Sequence, residues 1–438
     1  MRRFTVLWAI LLAALLVVGT YLPAGAQTIK IGVIGPMKYI QGQSQWNGAI
    51  MAREEINAKG GIKVGNKRMK IELVQADSNE INSVPDASNA MERIITRDKV
   101  DFVIGGFRTE AVLPMQDIAM EHKKIFLGCG SADNVLCSRV AENYKFYKYW
   151  FRETPFRSSD VAKTAFIVLS YVGNTMKKTL NIPKLKVAVV SEKAQWCDNF
   201  TKTAEVVVKQ QGMELVGTWR PSPRATDVTA ELSAIQRAGA HIIFTVFSSS
   251  VGIPFARQAG ELKIPAMQVG INVEATKDGF MQATRGMGNY VVVSGAYCRG
   301  VESTKYTKAF VEGYIKRFGE TPTYTSDTYN AIIHTLVPAI EKTGSLDPDK
   351  IVAFLENYER KNTVSNLKYM KDPYGNPLHE VTFGRGYATG IYIQWQDGKQ
   401  VGVWPYKWKE TPKSPPLTYK GIVPVKISPW VIEKYKKQ

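Results

Sequence analysis

The feature that most constrains this chain is a repeated alternation of short β-branched runs with amphipathic helical stretches. Ile29–Ile34 (IKIGVI) is a strand-like run that stops at Gly35-Pro36. A helical stretch, Gly48–Ala58, follows and is stopped by Gly60-Gly61. Lys70–Gln75 is the next strand, and Val84–Thr96 carries Ala87, Ala90, Met91, Ile94 and Ile95 on one helical side. Strand Val100–Ile104, helix Val112–Glu121 and strand Lys124–Leu127 continue the order. A βαβα order of this kind builds a parallel sheet covered by helices on both faces.

The pattern then restarts. Helix 160–179 leads into strand Lys186–Val190, helix 198–211, strand 215–220, helix 229–238, strand His241–Phe247, helix 254–262 and strand Ala266–Val269. Helices are expected at 307–318, 327–343 and 349–358, and a late strand at 387–395. The fold class predicted is α/β, with two doubly wound parallel-sheet lobes. A length of 438 residues fits two or three domains at roughly 150 residues each. In open parallel sheets ligands bind beyond the C-terminal strand ends. Those ends here are loops, most of them leading into helix N-termini, whose free N–H groups suit an anion such as a carboxylate.

The N-terminus reads as an export signal. Arg2 and Arg3 precede an apolar run, and Ala24-Gly25-Ala26 supplies a small-x-small cleavage pattern. Cleavage after Ala26 and a periplasmic destination are therefore expected. The densest apolar stretch, Val6–Val18, is shorter than the ~20 residues of a spanning helix.

Four cysteines in an exported chain permit disulfides, in three pairings. Cys129 and Cys137 are close enough in sequence to staple one loop, leaving Cys197 with Cys298; buried free thiols are the alternative. The four His (122, 241, 334 and 379) are scattered, and no CxxC or HxxxH spacing occurs, so no metal or other cofactor is expected. The first βα turn, GVIGPM, lacks the glycine spacing of a dinucleotide site, and no G-x-S-x-G, P-loop or H-E-x-x-H is present. An enzyme is not the reading these residues favour.

The formal charge is +18, from 57 Lys+Arg against 39 Asp+Glu. Residues 405–438 hold eight Lys, two Glu and six Pro. Those prolines argue against a long helix, while Trp408, Trp430 and several Tyr argue for packing along the body. Nucleic acid is not expected as a partner, because no reader motif accompanies the charge.

Five segments carry a family resemblance: IKIGVIGP (29–36), EEINAKGGI (54–62), KIELVQADS (70–78), VDFVIGG (100–106) and SDTYNAIIHTLVPAIEKTGSLDPDKI (326–351). In these the chain resembles type I periplasmic binding proteins of the leucine/isoleucine/valine-binding family of ABC importers. The resemblance spans nearly all of residues 28–400. It implies two α/β lobes joined by three crossings, expected near Glu153–Arg157, Gly295–Gly300 and Asn362–Asp372. The implied division is 28–155 with 298–365 for the first lobe, 156–297 with 366–404 for the second, and 405–438 as a basic extension. The implied partners are a small-molecule ligand and membrane permease subunits, with the chain itself a monomer. The same fold also serves ligand-sensing receptors.

The resemblance also assigns site residues. Thr109, in the loop after the third strand, falls where the family holds the ligand carboxylate, with Arg108 beside it for a second carboxylate. Gly130 would add a backbone contact and Ser131 a hydroxyl. Trp196 stands where an aromatic covers the ligand, and Phe247 or Ser248 holds the next contact position. The acid that takes an α-amino group falls on Asn272, a neutral residue, with Glu274 two residues later and Glu110 as another substitute. Either such an acid takes over, or the ligand lacks an α-amino group. A hydrophobic amino acid or related small carboxylate is the ligand expected, an aromatic or other organic acid the alternative. Tyr39, Gln41 and Gln43, read as part of the first loop, could line the mouth.

Overall fold

The computed structural model describes residues 28–406 and 419–436. The expected signal segment, 1–26, and part of the basic extension lie outside the described residues. The central strand of the first sheet is β1 (Thr28–Gly35), whose Ile29, Ile31, Val33 and Ile34 are fully buried. Burial of successive residues requires helices on both faces, as the uninterrupted β-branched run implies. Around it stand β2 (Ile62–Val64), β3 (Lys67–Asp77), β4 (Phe102–Gly105), β5 (Phe126–Cys129) and β6 (Trp150–Thr154), in the order β2-β3-β1-β4-β5-β6. All pairings are parallel except β2 with β3, an edge hairpin. Helices α1 (Ile40–Ala58), α2 (Val84–Thr96), α3 (Thr109–Glu121) and α4 (Val135–Glu142) lie between these strands.

After α5 (Ser158–Leu180) the second sheet begins. Its parallel strands are β7 (Lys186–Ser191), β8 (Glu214–Trp219), β9 (Ile242–Phe247), β10 (Met267–Asn272) and β11 (Val292–Gly295). They are interleaved with α6 (Gln195–Gln210), α7 (Thr229–Arg237) and α8 (Gly252–Glu261). The chain then returns to the first lobe through α9 (Thr307–Phe318) and α10 (Pro348–Leu355). Two small ribbons follow, β12 (Arg360–Lys361) with β13 (Asn366–Leu367) and β14 (Tyr369–Lys371) with β15 (Pro377–Val381). Finally β16 (Ile391–Gln396) and β17 (Lys399–Trp404) add an antiparallel edge to the second sheet, whose order is β17-β16-β11-β10-β9-β7-β8.

Three sequence expectations change. Helix α1 starts at Ile40, not Gly48, so Gln41 and Gln43 are helical rather than in a loop. Its first turns bury Gln41, Ser44 and Gln45, so hydrophobic periodicity gives no sign of them. The stretch expected as one helix over 327–343 passes through the 3-10 turn Tyr324–Asp327 and π turns at Ala331–Leu336 before settling into helix Val337–Thr343. Pro338 has no N–H for the carbonyl of His334, which interrupts the regular ladder there. The third crossing falls after Val381, not at 362–372. Leu367, Tyr369 and Val381 pack into the first lobe's core, and Glu380 pairs with the fully buried Arg152 of β6 at 2.8 Å.

The described part of the C-terminal extension packs along the second lobe. Gln394 Nε2 donates to Lys426 O at 2.7 Å and Gln396 Nε2 to Pro424 O at 3.0 Å. The extension ends in a helix of eight residues, α11 (Pro429–Lys436). Its Val431 is fully buried, and Trp430 Nε1 donates to Ile264 O at 3.1 Å. No helix among the described residues is long and apolar enough to cross a membrane.

Candidate functional site

The two sheets point their C-terminal strand ends at each other, and a cavity lies between them. At the first-lobe end, β4 closes with Gly105 and Gly106, both at positive φ (126° and 74°). That turn delivers Phe107, Arg108 and Thr109 to the head of α3. Thr109 is the first residue of α3 and Arg108 its N-cap. Thr109 Oγ1 faces Ser131 Oγ at 3.0 Å, with both residues buried. The β5 loop can come this close because residue 130 is glycine: a Cβ there would stand 2.2 Å from Gly106 O. Gln45 of α1 ties the two loops together, its Nε2 donating to Gly106 O and Cys129 O at 3.0 Å each.

From the second lobe, Trp196 in the first turn of α6 roofs the cavity. Its Nε1 donates to Ser248 Oγ at 3.0 Å, and Ser248 Oγ donates to Glu192 Oε1 at 2.5 Å. Ile271 and Val273 complete this wall, while Phe156, Tyr324, Val381 and Ile391 close the hinge side. The cavity's internal volume is about 140 Å³. One water takes about 10–15 Å³ on that measure, so the space suits a ligand of roughly ten non-hydrogen atoms. Apolar walls with Thr109 at one end suit a small molecule with a hydrophobic body and a polar head.

A second, more polar chamber of about 380 Å³ lies towards the cleft mouth and is lined by Tyr39, Gln41, Glu110, Arg224, Ser249 and Glu274, among others. Arg108 and Ser248 line both chambers.

The structure sorts the sequence candidates. Thr109, Gly130, Arg108, Trp196 and Ser248 line the inner cavity. Ser131 stands directly behind Thr109, and Ala132 lines the wall beside it. Phe247 does not reach either chamber: it is fully buried against Phe255, ring centroids 5.0 Å apart, because β-strand alternation turns it to the opposite face from Ser248. Asn272 also turns away, its Nδ2 donating to Gly252 O at 2.9 Å. Glu274 reaches only the outer chamber and pairs with Lys277 at 2.5 Å. The Cys129–Cys137 bridge is not formed; all four cysteines are free and buried. Helix α4 turns Cys137 towards β6, where its sulfur accepts from Trp150 Nε1 at 3.4 Å.

Four buried acids around the site escape sequence reasoning. Glu80, in the loop after β3, is buried and accepts the N–H groups of Phe107 (3.0 Å) and Arg108 (2.6 Å), fixing the turn that presents Thr109. Burial raises its pKa to about 7 despite those bonds. Glu192 is likewise raised by burial, against the bonds from Ser248 and Ser249. Asp327 and Glu153 line the inner cavity with their carboxylates already engaged. Tyr297 OH and Asn330 Nδ2 donate to Asp327 Oδ1, and burial raises its pKa to about 7. Glu153 accepts from Arg360 at 2.8 Å and Tyr369 at 2.5 Å. An acidic residue just past a strand end was the available signal for Glu80 and Glu192.

Compared with known families, residues 28–390 match the model described as periplasmic binding protein. The chain belongs to that family. Among relatives of this periplasmic binding protein is Leu/Ile/Val-binding protein homolog 7 of Brucella suis biovar 1, 24% identical over 397 residues, covering 87% of this chain and 92% of that one. An amino acid binding protein of Pseudomonas aeruginosa is 24% identical over 350 residues, covering 78% and 86%. Solved structures share the fold. The solute binding protein of an ABC transporter from R. palustris, in complex with benzoate, superimposes with TM-score 0.69 at 15% identity, over 86% of this chain and 95% of that one. A branched-chain amino acid transporter substrate binding protein from Streptococcus pneumoniae, in complex with isoleucine, gives TM-score 0.68 at 18% identity, over 85% and 98%.

Proposed function

We propose that this chain is the extracytoplasmic solute-binding component of an ABC importer, capturing a small hydrophobic carboxylate between its lobes and delivering it to a permease. The observation that carries this reading is the buried Thr109 at the head of α3, backed by the Ser131 hydroxyl and lining an apolar cavity walled by both lobes. Hydroxyls and a helix N-terminus stabilise an anion. An apolar body fills the space towards Phe156, Val381 and Ile391. The ligand touches both lobes, so its binding stabilises their closure, and the closed form docks on the permease. The chain performs no covalent chemistry in this scheme, and its place is the periplasm. Sensing by a receptor would use the same capture step.

The inner cavity favours acids without an α-amino group. Its two lining carboxylates are taken up by protein partners, and Asp327, with its pKa near 7, makes a weak counter-ion. An ammonium leaving water needs a charged or multiply bonded partner. One observation favours an amino acid instead: Glu110 Oε2 is buried without a hydrogen-bond partner beside the outer chamber, where an ammonium could meet it.

Calorimetric titration of residues 27–438 with benzoate, 3-phenylpropanoate, isoleucine and phenylalanine tests both points. Binding of the first two alone supports the amino-free acid. Binding of the amino acids, abolished by E110Q, supports the second reading. Binding of none of them counts against the proposed ligand class.

A further inference from the structure

Helix α6 has no cap of its own. The residue at its N-cap is Ala194, whose side chain has no oxygen to offer, and among the described residues no second-lobe side chain bonds the N–H of Gln195. The partner for the N–H of Gln195 comes from across the cleft: Glu110 Oε1, in the first turn of α3, accepts it at 3.1 Å. Alanine is among the poorest N-cap residues, whereas a carboxylate at a helix N-terminus satisfies a free N–H and complements the dipole.

Glu110 is held for this task. Arg108 Nη2 donates to the same Oε1 at 3.1 Å. Burial alone would raise the carboxyl's pKa, but the Arg108 guanidinium and the N–H groups of Glu110 and Gln195 hold it below the ordinary value, so it is ionised at neutral pH. The residue after Gln195 is Trp196, the roof of the inner cavity, whose ring is fixed within its own lobe by Ser248. The residue between Arg108 and Glu110 is Thr109, at the cavity's polar end. One tripeptide of the first lobe therefore carries both a ligand-facing hydroxyl and a contact to the helix that roofs the ligand.

We propose that Glu110 is the cross-cleft positioning residue of this binding protein: by capping α6 from the opposite lobe, it ties lobe closure to the placement of Trp196 over the cavity. The inference rests on the two-lobe capture mechanism but not on the ligand's identity. When the lobes part, Gln195 N–H and Glu110 lose each other and both face water. Glu110 thus favours the closed arrangement without touching the ligand body.

The test reads closure without ligand. Fluorophores are attached at N89C and K202C, one on each lobe and both exposed; the four native cysteines are buried. Single-molecule energy transfer then gives the closed-to-open ratio. E110A is expected to lower that ratio roughly fivefold, the usual effect of one helix cap. E110Q, which keeps an acceptor but loses the charge, should fall between E110A and the parent. A194D separates positioning from helix stability, because it caps α6 from its own lobe. In the E110A background it should restore the melting temperature without restoring the closed fraction. An unchanged closed fraction in E110A, or its restoration by A194D, overturns the proposal. Failure to bind any of the acids named above leaves this readout intact.

Discussion

Trp196 Nε1 and Ser248 Oγ stand 3.0 Å apart, joined by a hydrogen bond that connects the cavity roof to the loop after β9. Ser248 passes the link on to the buried carboxylate of Glu192. The indole therefore sits at a defined angle over the cavity, and one small residue sets that angle.

Replacing Ser248 by Ala frees the indole and removes one donor from Glu192, leaving Ser249 as its partner. A lost hydrogen bond to a charged group is worth about 1.5–3 kcal/mol. The expected result is a loss of ligand affinity of at least tenfold by calorimetry, together with a lower melting temperature. Ser248→Thr, which keeps the hydroxyl, should retain most of the affinity. Equal affinity in S248A and the parent would show that the roof needs no such fixing.

Glu80 gives the fold a pH dependence of known sign. Its pKa stands near 7 in the folded chain against 4.5 in a free side chain. The folded state therefore binds more protons than the unfolded state between those values. The contribution of Glu80 to stability is full below pH 4.5 and is lost as pH rises through 7. Glutamine keeps an acceptor for Phe107 and Arg108 but cannot ionise. Melting scans should find E80Q more favourable relative to the parent at pH 8 than at pH 5. The opposite trend would mean that Glu80 is stabilised as a carboxylate by its two N–H donors.

The cysteines should be chemically silent in the folded protein. Burial pushes the Cys298 thiol up to about 12 and raises the other three as well. The thiolate is the reactive form. Native-state alkylation followed by mass spectrometry should label none of the four, and labelling in guanidinium should reach all four without prior reduction. A species that reacts only after a reductant would establish a disulfide.

Much of this could be read from the sequence because the strands are buried on both faces. Runs such as IKIGVI and the strand from Ile242 to Phe247 leave little alternative to a covered parallel sheet. Thr109, Gly130 and Trp196 are assigned through the family resemblance, and all three line the inner cavity, on segments that follow strand ends. The start of α1 was not legible, because Gln41, Ser44 and Gln45 bury polar groups where periodicity looks for apolar ones. Phe247 and Asn272 were misplaced by one pleat, since a strand's last residues alternate between cavity and core. Glu80, Glu192 and Asp327 were missed because their roles depend on partners far away in sequence, such as Glu80 with Phe107 and Glu192 with Ser248.

Carboxylate capture at the head of α3 is tested by calorimetric binding of benzoate and isoleucine to residues 27–438 and to T109A. Thr109 faces the cavity and caps no helix, so T109A loses its bond to Ser131 but should still fold. A carboxylate ligand is expected to bind the parent, with affinity lower by about tenfold or more in T109A and recovered in Thr109→Ser at an unchanged melting temperature. Undiminished binding in T109A would contradict a carboxylate head group held at the start of α3.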